Sequence, residues 1–491
     1  MPKKNLYFPF YYMLLVAFIF LSLPSFTEEL EINLVYTNDI HDNIRPSYFG
    51  TGGLPYIAGF VKQLRAEKPN VILVDAGDLT DKGDMVADVT NGEIMYQAVE
   101  KMGYQVMVIG NHDIKKGIEQ LCKLKQLAPS VEIVTTDYKE GLDNCFKPWV
   151  IKKIGDFPIG FIGIINFRIE EIKSAIEGMK RNECHFFIAL CHLGSGTCKA
   201  ISKKIPEISI FVSGHTHEVL NEAIVCPETN AIIVQSGSRA IRVGYLRIIV
   251  DTKEQKNKSY ENKLVELRHD LIKPDEDLLN WIYAEEKRVC PIASEFLIDN
   301  KKTINASQIA ILTSLAIKEK THVDIAFCPP KLIRNVFPPT QLDYNAVFLT
   351  AGHRAIEQEW IQITLKGKQI EQYLKDILKN HWDMTECAGM EFHYENNTLR
   401  DTNLNGDKDY KIAISKTEFQ NQLLRSLRMS GENNIEDIKN GAIEYDFTYM
   451  DALSEFLKRI KESSLTLDEY VASMNIKNSD INNQNNDEIE N

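Results

Sequence analysis

The chain has 491 residues, enough for two or three domains, and its 44% hydrophobic and 25% charged content is an ordinary globular mixture. Its 56 basic and 69 acidic residues leave a formal charge of −13, which argues against a general binder of nucleic-acid polymers, because phosphate backbones need clustered Lys and Arg. A small phosphorylated substrate stays compatible with that sign, since bound divalent cations can dominate the local charge.

In chain order, Lys3 and Lys4 precede an almost wholly apolar run from Leu6 to Leu23, which polar Thr27, Glu28 and Glu29 close. This predicts an export signal over 1–27 and a periplasmic or extracellular protein. The length of the run also fits an uncleaved anchor and hence membrane association. From 30 to about 250, short Val- and Ile-rich runs read as buried strands: 32–37, 71–76, 105–110, 158–165, 185–190, 208–213 and 231–236. Helical patterns at 54–68, 92–103 and 115–127 lie between them, predicting an α/β layout with helices over the sheets. Residues 251–265 are charged and lack apolar periodicity, so they read as an edge turn or the start of a linker. A helix near 277–289 then bridges to a second, smaller α/β domain. Its expected elements are a helix at 307–319, a strand at 323–328, a strand-to-helix unit at 359–379, a strand at 410–415 and a helix at 450–460.

The domain division that follows is 28–258 catalytic, 259–292 linker with helix, 293–465 second domain and 466–491 tail. The polar, Asn-rich stretch 475–491 has too little apolar content to offset its ordering entropy. The nine cysteines fit no zinc-ribbon spacing and read as buried free thiols with room for one bridge.

Five segments carry the chemistry: NDIH (38–41), AGD (76–78), GNHD (110–113), CHLG (191–194) and GHTH (214–217), each directly after an apolar run. Loops at strand carboxyl ends converge on one crevice, so these segments can meet in space. Asp39, His41, Asp78, Asn111, His192, His215 and His217 offer carboxylate, imidazole and amide ligands, which suit Mn, Zn, Fe or Co. Asp39 with His41, and His215 with His217, would project to one side if the chain were extended there. Seven donors exceed a simple zinc site and suit two ions about 3.5–4 Å apart sharing one carboxylate.

The order D-x-H, G-D, G-N-H-D, H and G-H-x-H resembles the calcineurin-like metallophosphoesterases, and more closely the 5′-nucleotidase family that includes nucleotidase/UDP-sugar hydrolases. The resemblance is close over 31 to about 250 and more distant over 295 to about 420. It implies a four-layer sandwich of two mixed sheets flanked by helices, followed by a 5′-nucleotidase C-terminal-like domain. It also implies one ion on Asp39, His41 and His217, another on Asn111, His192 and His215, and Asp78 as the bridge. His112 would stabilise the pentavalent state or protonate the leaving alkoxide, with Asp113 beside it as a catalytic companion that need not reach it. Asn111 and Arg334 would contact substrate, a nucleoside monophosphate or UDP-sugar type of phosphate ester, which points to nucleotide catabolism.

The chain departs from that family where N-H-[ED]-F-D becomes NHDIK, placing Lys115 where an Asp orients the catalytic His. Lys115 reads most simply as a solvated residue at a helix start. In the second domain the family's Gly pair becomes Pro329 and Pro330, and no G-G-D-G segment follows 410–415. Phe419, Trp382 and Phe392 are candidates for a base clamp, with core packing the simpler reading. The competing function is a catalytically weak, metal-binding relic that holds a ligand or partner. A third is hydrolysis of a sulfur-oxyanion ester.

Overall fold

The computed structural model describes residues 29–136, 145–357, 359–380 and 385–474. The predicted export signal, the Asn-rich stretch 475–491 and Trp382 lie outside them.

Two six-stranded sheets form the first domain. The first contains β1 (Glu29–Thr37), β2 (Val71–Asp75), β3 (Val106–Val108) and β4 (Glu132–Val134), and closes with β11 (Arg242–Asp251) and β12 (Lys256–Glu266). Its order is β12-β11-β1-β2-β3-β4, with β1 to β4 parallel and the last two strands antiparallel. The second contains β5 (Trp149–Ile154), β6 (Phe157–Ile164), β7 (Phe187–Cys191), β8 (Ile208–Ser213), β9 (Ile224–Val225) and β10 (Ile232–Val234), in the order β5-β6-β7-β8-β10-β9.

The two-residue side-chain period sorts β7 and β8 between layers. Ile188, Leu190, Ile210 and Val212 enter the core shared with the first sheet. Phe187, Ala189, Cys191 and Phe211 instead pack with Ile172, Ile176 and Ile201 of the helices Ile169–Lys180 and Ser195–Lys204. The result is the expected four-layer sandwich.

Of the two readings of residues 251–265, the edge turn holds and the start of a linker does not. The residues turn a hairpin and run as the edge strand β12, paired from Arg242↔Glu266 to Asp251↔Lys256. Apolar periodicity misses this strand because an edge needs only backbone pairing on one side and commonly carries charge. The helix Glu276–Val289 is capped by Asp275, whose side chain accepts from the Leu278 N–H, and it buries Leu278, Ile282 and Glu286. It packs against the first domain's helices Leu54–Glu67 and Glu93–Met102.

The second domain is a five-stranded sheet with Ile325–Cys328, Asp409–Ser415 and Trp360–Lys366 at its centre. Ile325 and Phe327 face the helix Gly367–Lys379, whereas Ala326 and Cys328 join the core that includes Ala306–Thr321 and Tyr449–Glu462. Part of the predicted tail is ordered: Leu467–Ser473 is a helix, with Leu467 fully buried. One cysteine pair, Cys122–Cys145, is bridged, and the seven others are free thiols.

Buried polar groups join the first domain to the helix Glu276–Val289 and to the second domain. Arg45 reaches Glu286 at 3.0 Å and Asp84 at 3.3 Å. Asn345 accepts from the Met85 N–H at 2.8 Å and donates to Asp84 at 3.0 Å. The Tyr48 hydroxyl donates to Asp343.

Candidate metal centre

All five segments start where a strand of one sheet or the other ends, as the loops after β1, β2, β3, β7 and β8. Backbone hydrogen bonds bind the loops to one another: Asp39 N–H to Gly77 O at 2.8 Å, His41 N–H to Asp78 O at 3.0 Å, and Gly194 N–H to Gly214 O at 2.9 Å. The paired ligands do project together, but not through an extended chain. Asp39, His41, Asp78, His215 and His217 all have left-handed backbone, with φ of 51°, 52°, 57°, 82° and 57°. Each such residue costs on the order of 1–3 kcal/mol and persists only where its surroundings over-determine it. Gly110 allows the closest approach, because a Cβ there would fall 2.1 Å from Asp78 Oδ1.

Three donors, Asp39, His41 and His217, form one cluster, and Asp39, Asp78 and His192 form a second, each with ligand atoms within 4.8 Å of one another. His41 Nε2 lies 3.1 Å from His217 Nε2 and 3.8 Å from Asp78 Oδ2. Asp78 Oδ2 is also 3.1 Å from His192 Nε2, so this oxygen faces an imidazole of each cluster, while Asp39 is common to both. Asn111 Oδ1 completes the second side, 3.3 Å from His192 Nε2 and 2.8 Å from His215 Nδ1. Every predicted ligand is therefore in the cluster, and Asp39 reaches further than expected, to 3.9 Å from His192.

The donors fit divalent cations. His192 Nδ1 donates to the Ala76 carbonyl at 2.8 Å, which leaves Nε2 as the ligand atom. Asp39 is held by Asn38, whose amide donates to Asp39 Oδ2 at 2.7 Å while its oxygen accepts from Ser236. Asn38 was not singled out from the sequence, because its role appears only with Ser236 beside it. Burial lowers His41 to about 4 against the pull of Asp78 and Asp39. Burial would raise Asp78, but the His192 hydrogen bond and charge outweigh it and hold the carboxyl at about 2. Burial likewise opposes, and the Asp78 contact overcomes, so that His192 rises to about 9. A cation binding here must displace that proton. Asp39, His41, Asp78 and His192 are buried, whereas Asn111 and His215 are exposed, so the centre opens to solvent on their side.

Asp113 does not serve as a catalytic companion of His112. It is buried and turned away, accepting from the N–H groups of Gly110, Asp78 and Thr80 at 2.9, 3.0 and 3.0 Å and from the Thr80 hydroxyl at 2.7 Å. Successive helical side chains diverge, so a neighbour in sequence need not be one in space. Asp113 instead fixes the loops that present Asp78 and Asn111. Lys115 ends the one-turn helix Asn111–Ile114, and its Nζ leans to within 3.0 Å of His112 Nδ1, so it is more than a solvated surface residue.

Arg334 is exposed, on a loop that reaches the centre through Asn335, which accepts from Arg239 Nη1 at 3.3 Å. Burial, then the charge of Arg334, lowers Arg239. Burial chiefly lowers Lys82 as well, with the charges of Lys115 and then Arg334 adding to the effect. Of the base-clamp candidates, the two among the described residues, Phe419 and Phe392, do not form an open pair. Phe419 is 7% exposed in the second domain's core, and Phe392 packs against that core and stacks on Tyr394. A cavity of about 350 Å³ opens in the second domain, lined by Pro329, Lys331, Arg354, Trp360 and Gln422 among others.

Residues 32–219 match the calcineurin-like phosphoesterase family. A 5′-nucleotidase of Bos taurus is 22% identical over 283 residues, covering 48% of this chain and 49% of that protein. The chain thus spans about half the length of such curated relatives. The 5′-nucleotidase precursor of Thermus thermophilus superposes with a TM-score of 0.63 at 16% identity, covering 88% of this chain and 97% of that one. The sulfate thiohydrolase SoxB of the same organism gives 0.60 at 14% identity, covering 89% and 95%. At these identities the two structures establish a shared fold across both domains.

Proposed function

From the place of residues 32–219 among the calcineurin-like phosphoesterases, we propose that this chain is a dinuclear metal-dependent hydrolase of phosphate esters, acting on a small 5′-nucleotide or UDP-sugar type of substrate. The observation that carries the reading is the single oxygen Asp78 Oδ2, 3.8 Å from His41 Nε2 of one cluster and 3.1 Å from His192 Nε2 of the other. Asp39, His41 and His217 would hold one ion, Asn111, His192 and His215 the other, and Asp78 both. Cations there would neutralise the ester oxygens and acidify an attacking water.

The chain's own residues supply the rest. Asn111 and His215 face the open side, where an ester can enter. His112, its side chain 12% exposed, stands with its ring 5.0 Å from that of His41, in place to hold a proton for the leaving oxygen. Arg334, Lys82 and Arg239 supply positive charge where a phosphate or pyrophosphate would lie. Export across a membrane rests on the N-terminal pattern of basic, apolar and polar residues.

The test is a screen of nucleotides, UDP-sugars and simple phosphate esters with Mn, Zn, Fe or Co. Turnover of a phosphate ester that disappears in Asp78→Ala is the expected result. Stoichiometric metal binding without turnover of any ester would favour the relic reading, and activity confined to sulfur-oxyanion esters would favour the third.

A further inference from the structure

We propose that the cavity in the second domain is a binding site for a small polyhydroxylated anion of the sugar-acid class, held by Arg354, Trp360 and Gln422. The proposal concerns binding; it goes beyond the phosphoesterase reading and does not rest on it.

The cavity holds about 350 Å³, within the range of small-molecule sites. Two atoms of the residues that line it lack partners. Trp360 is fully buried, yet its Nε1–H has no acceptor among the described residues, and the buried Gln422 Oε1 has no donor. A buried donor or acceptor left unpaired is costly. A hydroxyl answers both, since it accepts from one group and donates to the other. The segment that carries Gln422 is itself irregular. Phe419–Leu423 is a π-helical turn set between Lys416–Glu418 and Leu424–Met429. Such turns break the helical register and recur at functional sites. Here the turn brings Asn421 and Gln422 to the cavity.

Charge supplies the second part of the ligand. The two carboxylates of the wall are engaged: Glu359 accepts from the Thr417 hydroxyl at 3.1 Å, and Glu418 from the Tyr373 hydroxyl at 2.6 Å. Arg354, by contrast, is exposed, and its guanidinium has no ion-pair partner among the described residues. Lys331 lines the same cavity. Pro329 and Pro330 before it have no N–H, so side chains and not these backbone positions must hold an anion there.

Stacking contributes little. Trp360 and Tyr449, the aromatic residues of the wall, have their rings in the core, and Phe419 is core as well. A nucleobase therefore finds no pair of open faces, whereas an aliphatic ligand with hydroxyls and one anionic group meets a donor, an acceptor and a cation.

The test is titration calorimetry of the full chain with glucuronate, a sugar acid that carries no phosphate. One-to-one binding is expected. Trp360→Phe, which keeps an aromatic ring and removes the N–H, should weaken it about 10-fold, as should Gln422→Leu and Arg354→Ala, the scale of one lost hydrogen bond to a ligand. Asp78→Ala, in the metal centre, should leave the affinity unchanged. Neutral inositol should bind about 10-fold more weakly than glucuronate, and uridine should not compete with it. Thermal unfolding without ligand reads the folding of each variant separately, and Arg354, being exposed, can be removed without touching the core. Absence of saturable glucuronate binding, an affinity retained in the folded cavity variants, an affinity lost in Asp78→Ala, or displacement of glucuronate by uridine would overturn the proposal. Turnover of phosphate esters is measured independently, so failure here leaves the phosphoesterase reading standing.

Discussion

In the first domain five of the seven candidate ligands after the strands have left-handed backbone, and the seven bring their donors and acceptors together across both sheets. In the second domain the residues at strand ends turn inward. Ser415 accepts from the Glu418 N–H as a helix cap, and Glu418 accepts from the buried Tyr373 hydroxyl at 2.6 Å. Phe419, next in sequence, is core. The contrast separates chemistry from architecture. Polar atoms consumed by caps and core hydrogen bonds stabilise a fold, whereas polar atoms of like character gathered around one point require a cation or a substrate.

Asp78→Ala attacks this contrast most directly. Turnover should fall below detection, and elemental analysis should show the loss of at least one bound ion. Turnover that survives would move the chemistry to the second domain. Arg45→Ala leaves Asp84 and Glu286 buried without their counter-charge, and should cost about 3–5 kcal/mol in denaturant unfolding. Burial raises the Glu286 carboxyl against the pull of Arg45. The stability this group contributes is therefore full in acid and is lost as pH rises through its native value. Removing Arg45 raises that value further, so the deficit of the variant should widen with pH. Asp113→Ala strands four backbone N–H groups and should destabilise by about 3 kcal/mol in thermal or denaturant unfolding, with activity falling through the displaced loops. Arg334→Ala should raise KM about 10-fold with kcat little changed, the signature of lost ground-state binding. The mildest effect is a proton count. With His192 at about 9, metal binding near neutral pH should release about one proton from that imidazole, measured calorimetrically in buffers of different ionisation heat, and affinity should rise with pH toward that value.

The strands and the ligand types were legible because each rests on local chemistry. Short, bounded Val- and Ile-rich runs read as buried strands, and carboxylates, imidazoles and an amide directly after them point to a candidate metal centre. The edge strand Lys256–Glu266 was not legible, since one-sided pairing asks nothing of its side chains. The division of labour around His112 could not be read either. Asp113 touches it in sequence but faces the backbone of another loop, and Asp81, 31 residues earlier, meets its ring. Composition and periodicity determine which residues end up beside a strand's carboxyl end. Only the tertiary fold decides which of them face each other, because that choice depends on left-handed turns that hydrogen bonds between distant loops hold in place.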